Sequence, residues 1–228
     1  MLKRACLALF LVAIALSSPV TANELTPDLL QTVTQLAEEG DADSQAYLAR
    51  LYEVGQGVPK DFGVALRWYR LAAAQGNTTA RVNLGLMTLY GKGCEKNPAE
   101  AVQLFRQAAE QQSAHAMLCL GLVYQNGQGV PQDPEESLKW YHRAAVLNQE
   151  IAFGKLASAY GKRYLDGTGN RQDLIEAYIW TELAAERGVP TLRAAMKQAR
   201  QTYLDAMSEE EAATATEKLQ AWRAAHEE

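Results

Sequence analysis

Short apolar stripes recur along the chain at a nearly constant step. Leu48, Leu84 and Leu120 stand 36 residues apart, and Tyr160 takes the same place after a step of 40. Trp68, Trp140 and Trp180 form a second series, with Leu104 holding its place in the second unit. The first series lies in stretches such as SQAYLARLY and AHAMLCLGLVY, the second in ALRWYRLAAAQG and SLKWYHRAAVLN. Their spacing predicts a pair of helices, A and B, in each unit. Helices of about 12–15 residues are marginal alone in water, so these must bury their stripes against one another.

A glycine corner separates A from B. Tyr52 to Asp61 reads YEVGQGVPKD, and Tyr124 to Asp133 reads YQNGQGVPQD, an ungapped match at seven of ten places. The glycine pairs are Gly55/Gly57, Gly91/Gly93, Gly127/Gly129 and Gly167/Gly169. The first glycine of each pair is expected to stop helix A in the left-handed conformation, and the second to let the chain reverse. Asp61, Asn97, Asp133 and Asp173 then fall where helix B needs an N-cap. Glu100, Glu136 and Glu176 follow their caps by three residues and predict reciprocal capping boxes. Ala49, Gly85, Gly121 and Gly161 are small where neighbouring helices are expected to approach.

Self-similarity at this period predicts a stacked helical array, an all-α solenoid. Four units fit, at 41–76, 77–112, 113–148 and 149–188. Residues 23–40 supply a lone N-terminal capping helix, with Thr26 as its N-cap. Residues 189–228 read as a final helical pair, with Ser208 and Glu211 as another capping box.

The repeat resembles the Sel-1-like family, relatives of tetratricopeptide repeats. Unit one carries the pattern as Leu48, Ala49, Tyr52, Gly55, Gly57, Val58, Asp61, Ala65, Trp68, Tyr69, Ala72, Ala73 and Gly76; unit three repeats most of it from Ala116 to Ala145. The resemblance implies a right-handed α/α superhelix that binds other proteins on a concave face lined by helix A. Unit two departs at Thr88 and Leu104. Unit four has about four extra residues near Gln149–Ala152, and Arg163 where the others have Leu51, Met87 and Val123. A looser or tilted fourth unit is therefore expected.

The first 22 residues change the picture of where the chain works. Lys3 and Arg4 precede an uncharged run from Ala5 to Leu16, and Val20-Thr21-Ala22 offers a cleavage site. This is a secretory signal pattern, too short to span a membrane. A periplasmic protein of the bacterial envelope, or a secreted one, is expected. Cleavage would remove two basic residues and no acidic one, taking the net charge from −5 to −7. That charge argues against a nucleic acid or an anionic membrane as the main partner. Two cysteines would remain, Cys94 and Cys119, and their spacing leaves a bond between them open.

Signatures of chemistry are missing. The histidines His115, His142 and His226 form no metal-ligand spacing, and there is no G-x-S-x-G, S-x-x-K or phosphate-loop motif. No catalytic residue, metal or cofactor is expected. Some disulfide-rich members of the family are linked to penicillin binding, and a cell-wall or β-lactam-directed enzyme is the alternative class. A secreted factor acting on a host cell is another. The leading expectation is a monomeric scaffold that binds a protein or peptide. Its candidate residues lie off the core register of helix A: Tyr47, Arg50, Asn83, Leu86, Cys119 and Leu122, with Tyr90 near the turn. Leu86 and Leu122 either line a groove or pack on the next repeat; register alone leaves both open.

Overall fold

A computed structural model describes residues 26–187 and 193–226. The expected signal segment, residues 1–22, lies outside them, as does the start of the final helical pair at 189–192. The described residues form eleven helices in two compact units, which divide between Gln111 and Gln112.

The first unit holds α1 (Pro27–Glu38), α2 (Ala42–Val54), α3 (Phe62–Ala74), α4 (Thr78–Tyr90) and α5 (Pro98–Glu110). Thr26 caps α1 by accepting from the Leu29 N–H, and Pro27 takes the first helical position. Hairpins α2/α3 and α4/α5 follow. Gly55 and Gly91 end α2 and α4 in the left-handed conformation, at φ +80° and +71°. Asp61 and Asn97 cap the second helices, accepting from Val64 N and Glu100 N at 2.9 and 3.2 Å.

The second arm of the predicted capping box is absent here. The Asn97 N–H donates to the Thr88 carbonyl at 2.9 Å, as the Asp61 N–H does to Tyr52 at the same distance. Glu100 instead pairs with the Asn97 carboxamide. The corner thus closes onto the end of the preceding helix, and that closure takes the donor the glutamate was expected to satisfy.

The core is anchored one position beyond the tryptophan series. Tyr69 and Phe105 are fully buried, whereas Trp68 and Leu104 are only partly so. Trp68 packs against both apolar clusters of the unit, and the Tyr69 hydroxyl donates to Glu53 at 3.0 Å. Burial of such rings contributes roughly 1.5–3 kcal/mol each. Helix propensity differs by less than about 0.7 kcal/mol between ordinary residues. Packing therefore decides where these helices stand.

The second unit holds α6 (Ala114–Asn126), α7 (Pro134–Val146), α8 (Glu150–Leu165), α9 (Arg171–Arg187), α10 (Arg193–Ala206) and α11 (Glu209–His226). Hairpin α6/α7 repeats the pattern. Gly127 ends α6 at φ +66°, Asp133 caps α7, and the Asp133 N–H donates to the Tyr124 carbonyl at 3.0 Å. Glu136 pairs with Lys139 rather than closing a box. Tyr141 is the buried anchor, and its hydroxyl donates to Gln125 at 2.6 Å.

Hairpin α8/α9 differs from its fellows in three ways. Helix α8 has 16 residues where α2, α4 and α6 have 13. The insertion near Gln149–Ala152 adds close to one helical turn, so the face that α8 presents is kept. The cap also moves: Asn170, not Asp173, is the N-cap of α9, accepting from Gln172 N and Asp173 N at 2.8 and 3.2 Å. Asp173 returns a bond to Asn170 N at 2.7 Å, so it is the box partner. Glu176, expected in that role, accepts instead from the Trp180 indole N–H and from Lys218. Nor is the hairpin loose, because Leu156, Leu174 and Leu183 are fully buried.

Helices α10 and α11 finish the unit. Ser208 and Glu211 make both arms of the predicted box, at 2.8 and 3.2 Å. Tyr203 of α10 is buried with its hydroxyl against Gly161, and Glu211 is paired with Arg171 of α9.

Candidate functional site

The first helices of the first three hairpins carry the predicted binding residues, and the structure sorts them into two groups. Arg50 and Tyr90 are exposed, Tyr90 at 58 %, and Asn83, Leu86 and Leu122 are half-buried. Leu86 and Leu122 occupy the same repeat position, one in each unit. Each keeps apolar surface in contact with solvent.

Tyr47 and Cys119 do not belong to such a surface. Tyr47 is buried with Val33, Ala37, Leu48 and Leu51, because the lone helix α1 lies over that part of α2. Cys119 is buried within an uninterrupted run from Ala116 to Gly121. A helix apolar on all sides is covered on all sides. The signal was present in the letters AMLCLG, which hold no polar residue. Burial pushes the Cys119 thiol up to about 12, so it stays protonated and unreactive at neutral pH. Cys94 and Cys119 are both free thiols.

Sequence reasoning missed Val54, which ends α2 as Tyr90 ends α4 and is 54 % exposed. The first unit therefore shows solvent a side-chain pair, Val54 and Tyr90, at one repeat position. The corresponding residue in the second unit is polar, Asn126.

The second unit also contains a cleft of about 590 Å³. The end of α6 and the following corner contribute Gln125, Asn126 and Gln132; the start of α7 contributes Glu135; the end of α8 contributes Lys162 and Arg163. Arg163 donates to Glu135 at 2.6 Å and forms an ion pair with Asp173 at 3.1 Å. In the same unit, His142 Nε2 lies 2.8 Å from the Tyr160 hydroxyl, and its ring meets Trp180 edge-on. Burial holds His142 below the usual histidine range, with Glu176 pulling weakly the other way.

Among the described residues no group of three or more His, Cys, Asp or Glu could hold a metal ion, and no helix is long and apolar enough to cross a membrane. What the arrangement supplies is surface: half-exposed leucines, exposed Val54 and Tyr90, and a polar cleft with fixed charges.

Known proteins place this architecture. The Sel1 repeat matches residues 42–77, 78–113, 114–148 and 156–189. The interval before the fourth match contains the extra turn of α8. No curated protein matches the chain. Among solved structures, a protective antigen of uropathogenic Escherichia coli with an SLR fold is 29% identical, at a TM-score of 0.73; the match covers 87% of this chain and 41% of the antigen. A Sel1 repeat protein from Oxalobacter formigenes is 32% identical at a TM-score of 0.59, over 78% of this chain and 67% of that one. An immunity protein from Pseudomonas aeruginosa shares the fold at 20% identity and a TM-score of 0.51, over 87% and 80% of the two chains. With four matched repeats over more than half its length, and the helix pairs to go with them, the chain belongs to the Sel1 repeat family.

Proposed function

We propose that this protein is an exported, non-catalytic scaffold that binds another protein in the bacterial envelope, as an adaptor, assembly factor or regulator. Sel1 repeats are typically protein–protein interaction scaffolds. The observation that carries the reading is the repeated half-exposure of Leu86 and Leu122, at one position on the first helices. Residues of this kind supply contact area when a partner covers them. Arg50, Asn83 and Tyr90 add polar and aromatic contacts, and Tyr and Arg are favoured at binding hot spots. The charged start and apolar run of residues 1–22 support a periplasmic site of action.

Affinity capture after cross-linking in intact cells tests the proposal. The unmodified chain is expected to recover a discrete partner, and Leu86→Asp or Leu122→Asp to lose it without loss of helicity. Recovery of the same partner by both variants would overturn the assignment of this face. The similarity to a protective antigen favours a second reading, in which the protein acts outside the cell. Fractionation separates the two, because an extracellular pool is expected only from the second.

A further inference from the structure

The cleft of the second unit is lined at one repeat position by a residue of changed character. Leu51, Met87 and Val123 fill that position in the first three repeats, and each is at most 2 % exposed. The fourth repeat has Arg163 there. Its side chain is 28 % exposed and turns toward charge instead of filling the space. A buried or half-buried charge is weak evidence for stability, since well-packed apolar residues of similar size often do as well or better. The other repeats show the apolar solution at the same place.

Arg163 is held in a fixed direction. Its Nε forms an ion pair with Asp173, which is only 4 % exposed. The other Asp173 oxygen is tied to the Asn170 N–H at 2.7 Å. One edge of the guanidinium is thus anchored by a buried carboxylate that is itself part of a helix cap. Its Nη1 bonds Glu135 at 2.6 Å, and the Glu135 side chain is 68 % exposed. Pairs this exposed contribute about 0–1 kcal/mol, so Glu135 can be displaced at little cost. Asp173 cannot be displaced without breaking the cap.

The remaining lining includes one more carboxylate, Asp166, and a set of carboxamides that suits a polypeptide main chain. Gln125, Asn126 and Gln132 bring three carboxamides, each with donors and an acceptor. Gln125 Oε1 already accepts from Tyr141, which leaves its N–H groups to donate. The Gln132 carboxamide donates to the Gln125 carbonyl at 2.9 Å, which holds the corner in place. Lys162 puts a second cation on the same wall as Arg163. A guanidinium takes a carboxylate by two parallel bonds, and such bonds are stronger than neutral ones.

We propose that this cleft is a subsite for an extended peptide segment bearing a carboxylate. The carboxylate takes the place of Glu135 on Arg163, beside Lys162, and the adjoining main chain lies along the carboxamides. The Glu135 carboxylate is the internal stand-in for that group. The proposal rests on the reading of the chain as a protein-binding scaffold, and it names the chemistry that one part of the scaffold recognises.

The test uses the full chain and a bead-bound library of random heptapeptides with free carboxyl termini, followed by fluorescence polarisation on the selected peptides. The selected peptides are expected either to be enriched in Asp and Glu or to need their free carboxyl terminus. Arg163→Met, which restores the residue of the second repeat, is expected to weaken them about tenfold or more, the scale of a charge-assisted bond. Glu135→Gln is expected to tighten them, since the internal competitor is gone. Circular dichroism checks that each variant folds. If Arg163→Met does not, Lys162→Ala and Glu135→Gln still report on the same site. Amidating the selected peptides separates the sources of the carboxylate: loss of binding assigns a chain terminus, retention an Asp or Glu side chain. Selection of no peptide, binding by peptides without Asp or Glu that survives amidation, or affinities unmoved by Arg163→Met and Glu135→Gln would overturn the subsite. Cellular capture that needs Leu86 and Leu122 but tolerates Arg163→Met would overturn it too, and would leave the scaffold reading standing.

Discussion

A β-carbon on Gly121 would lie 2.3 Å from Tyr141 Cε1, and one on Gly85 would lie 2.6 Å from Phe105 Cε1. These glycines are small because an aromatic ring of the partner helix rests on them, and the ring is the anchor of each hairpin. Gly121→Ala is expected to cost about 1–3 kcal/mol through overpacking, measured by urea unfolding. Backbone conformation gives a second contrast at one repeat position. Gly40 and Gly76 have φ of +102° and +89°, while Gln112 and Asn148 take the same place at +60° and +55°. Gln112→Gly is expected to stabilise by about 0.5–1 kcal/mol and Gly76→Ala to destabilise by about 1–2 kcal/mol, both read from the same unfolding curves. The small-residue positions were legible in the repeat, but their reason was not. The sequence offers Trp-Tyr together at 68–69 and 140–141, and nothing in register alone says which ring turns inward. The half-buried Trp68 and the fully buried Tyr69 answer that only once the neighbouring helix is in place.

At the scale of the element, helices and corners were legible because glycine and the capping residues act locally. The first three G-x-G corners, and the caps at Asp61, Asn97 and Asp133, stand where their spacing puts them; in the fourth, Asp166 caps α8 and the left-handed Gly167 comes one residue later. The fourth cap was misplaced because the insertion and the sequence GTGNRQD offer two acceptors, Asn170 and Asp173, three residues apart. The structure uses both, one as cap and one as box. Asn170→Ala is expected to cost about 1 kcal/mol, as a lost N-cap does. Asp173→Ala is expected to cost more, because it also strips Arg163 of its buried partner. Helix α7 carries a pH dependence as well. With its folded value held below the unfolded one of about 6.5, His142 contributes stability that is fully present above that pH and is lost as the pH falls through the folded value. Thermal unfolding of the wild type is therefore expected to fall more steeply from about pH 7 to pH 5 than that of His142→Gln. Equal slopes would remove the histidine from the account.

For the whole molecule, the step of 36 residues carries the architecture, and the proposed recognition rests on the variation between repeats. Arg163 was visible as an odd residue, but its role needs Glu135, 28 positions earlier, and a buried Asp173, and no local pattern joins them. Tyr47 and Cys119 were misread for a related reason: a repeat register says which face of a helix a residue occupies, not what lies over it. The partner stays outside the sequence because the same fold serves unrelated functions. The central claim, that binding uses the first helices of the hairpins, is tested most directly by photo-cross-linking in cells. A photoreactive amino acid is placed at Leu86 or Leu122 and, for comparison, at Gln103, an exposed residue of α5. The account predicts discrete adducts from positions 86 and 122 and none from 103. Adducts from 103 alone, or equally from all three positions, would contradict it.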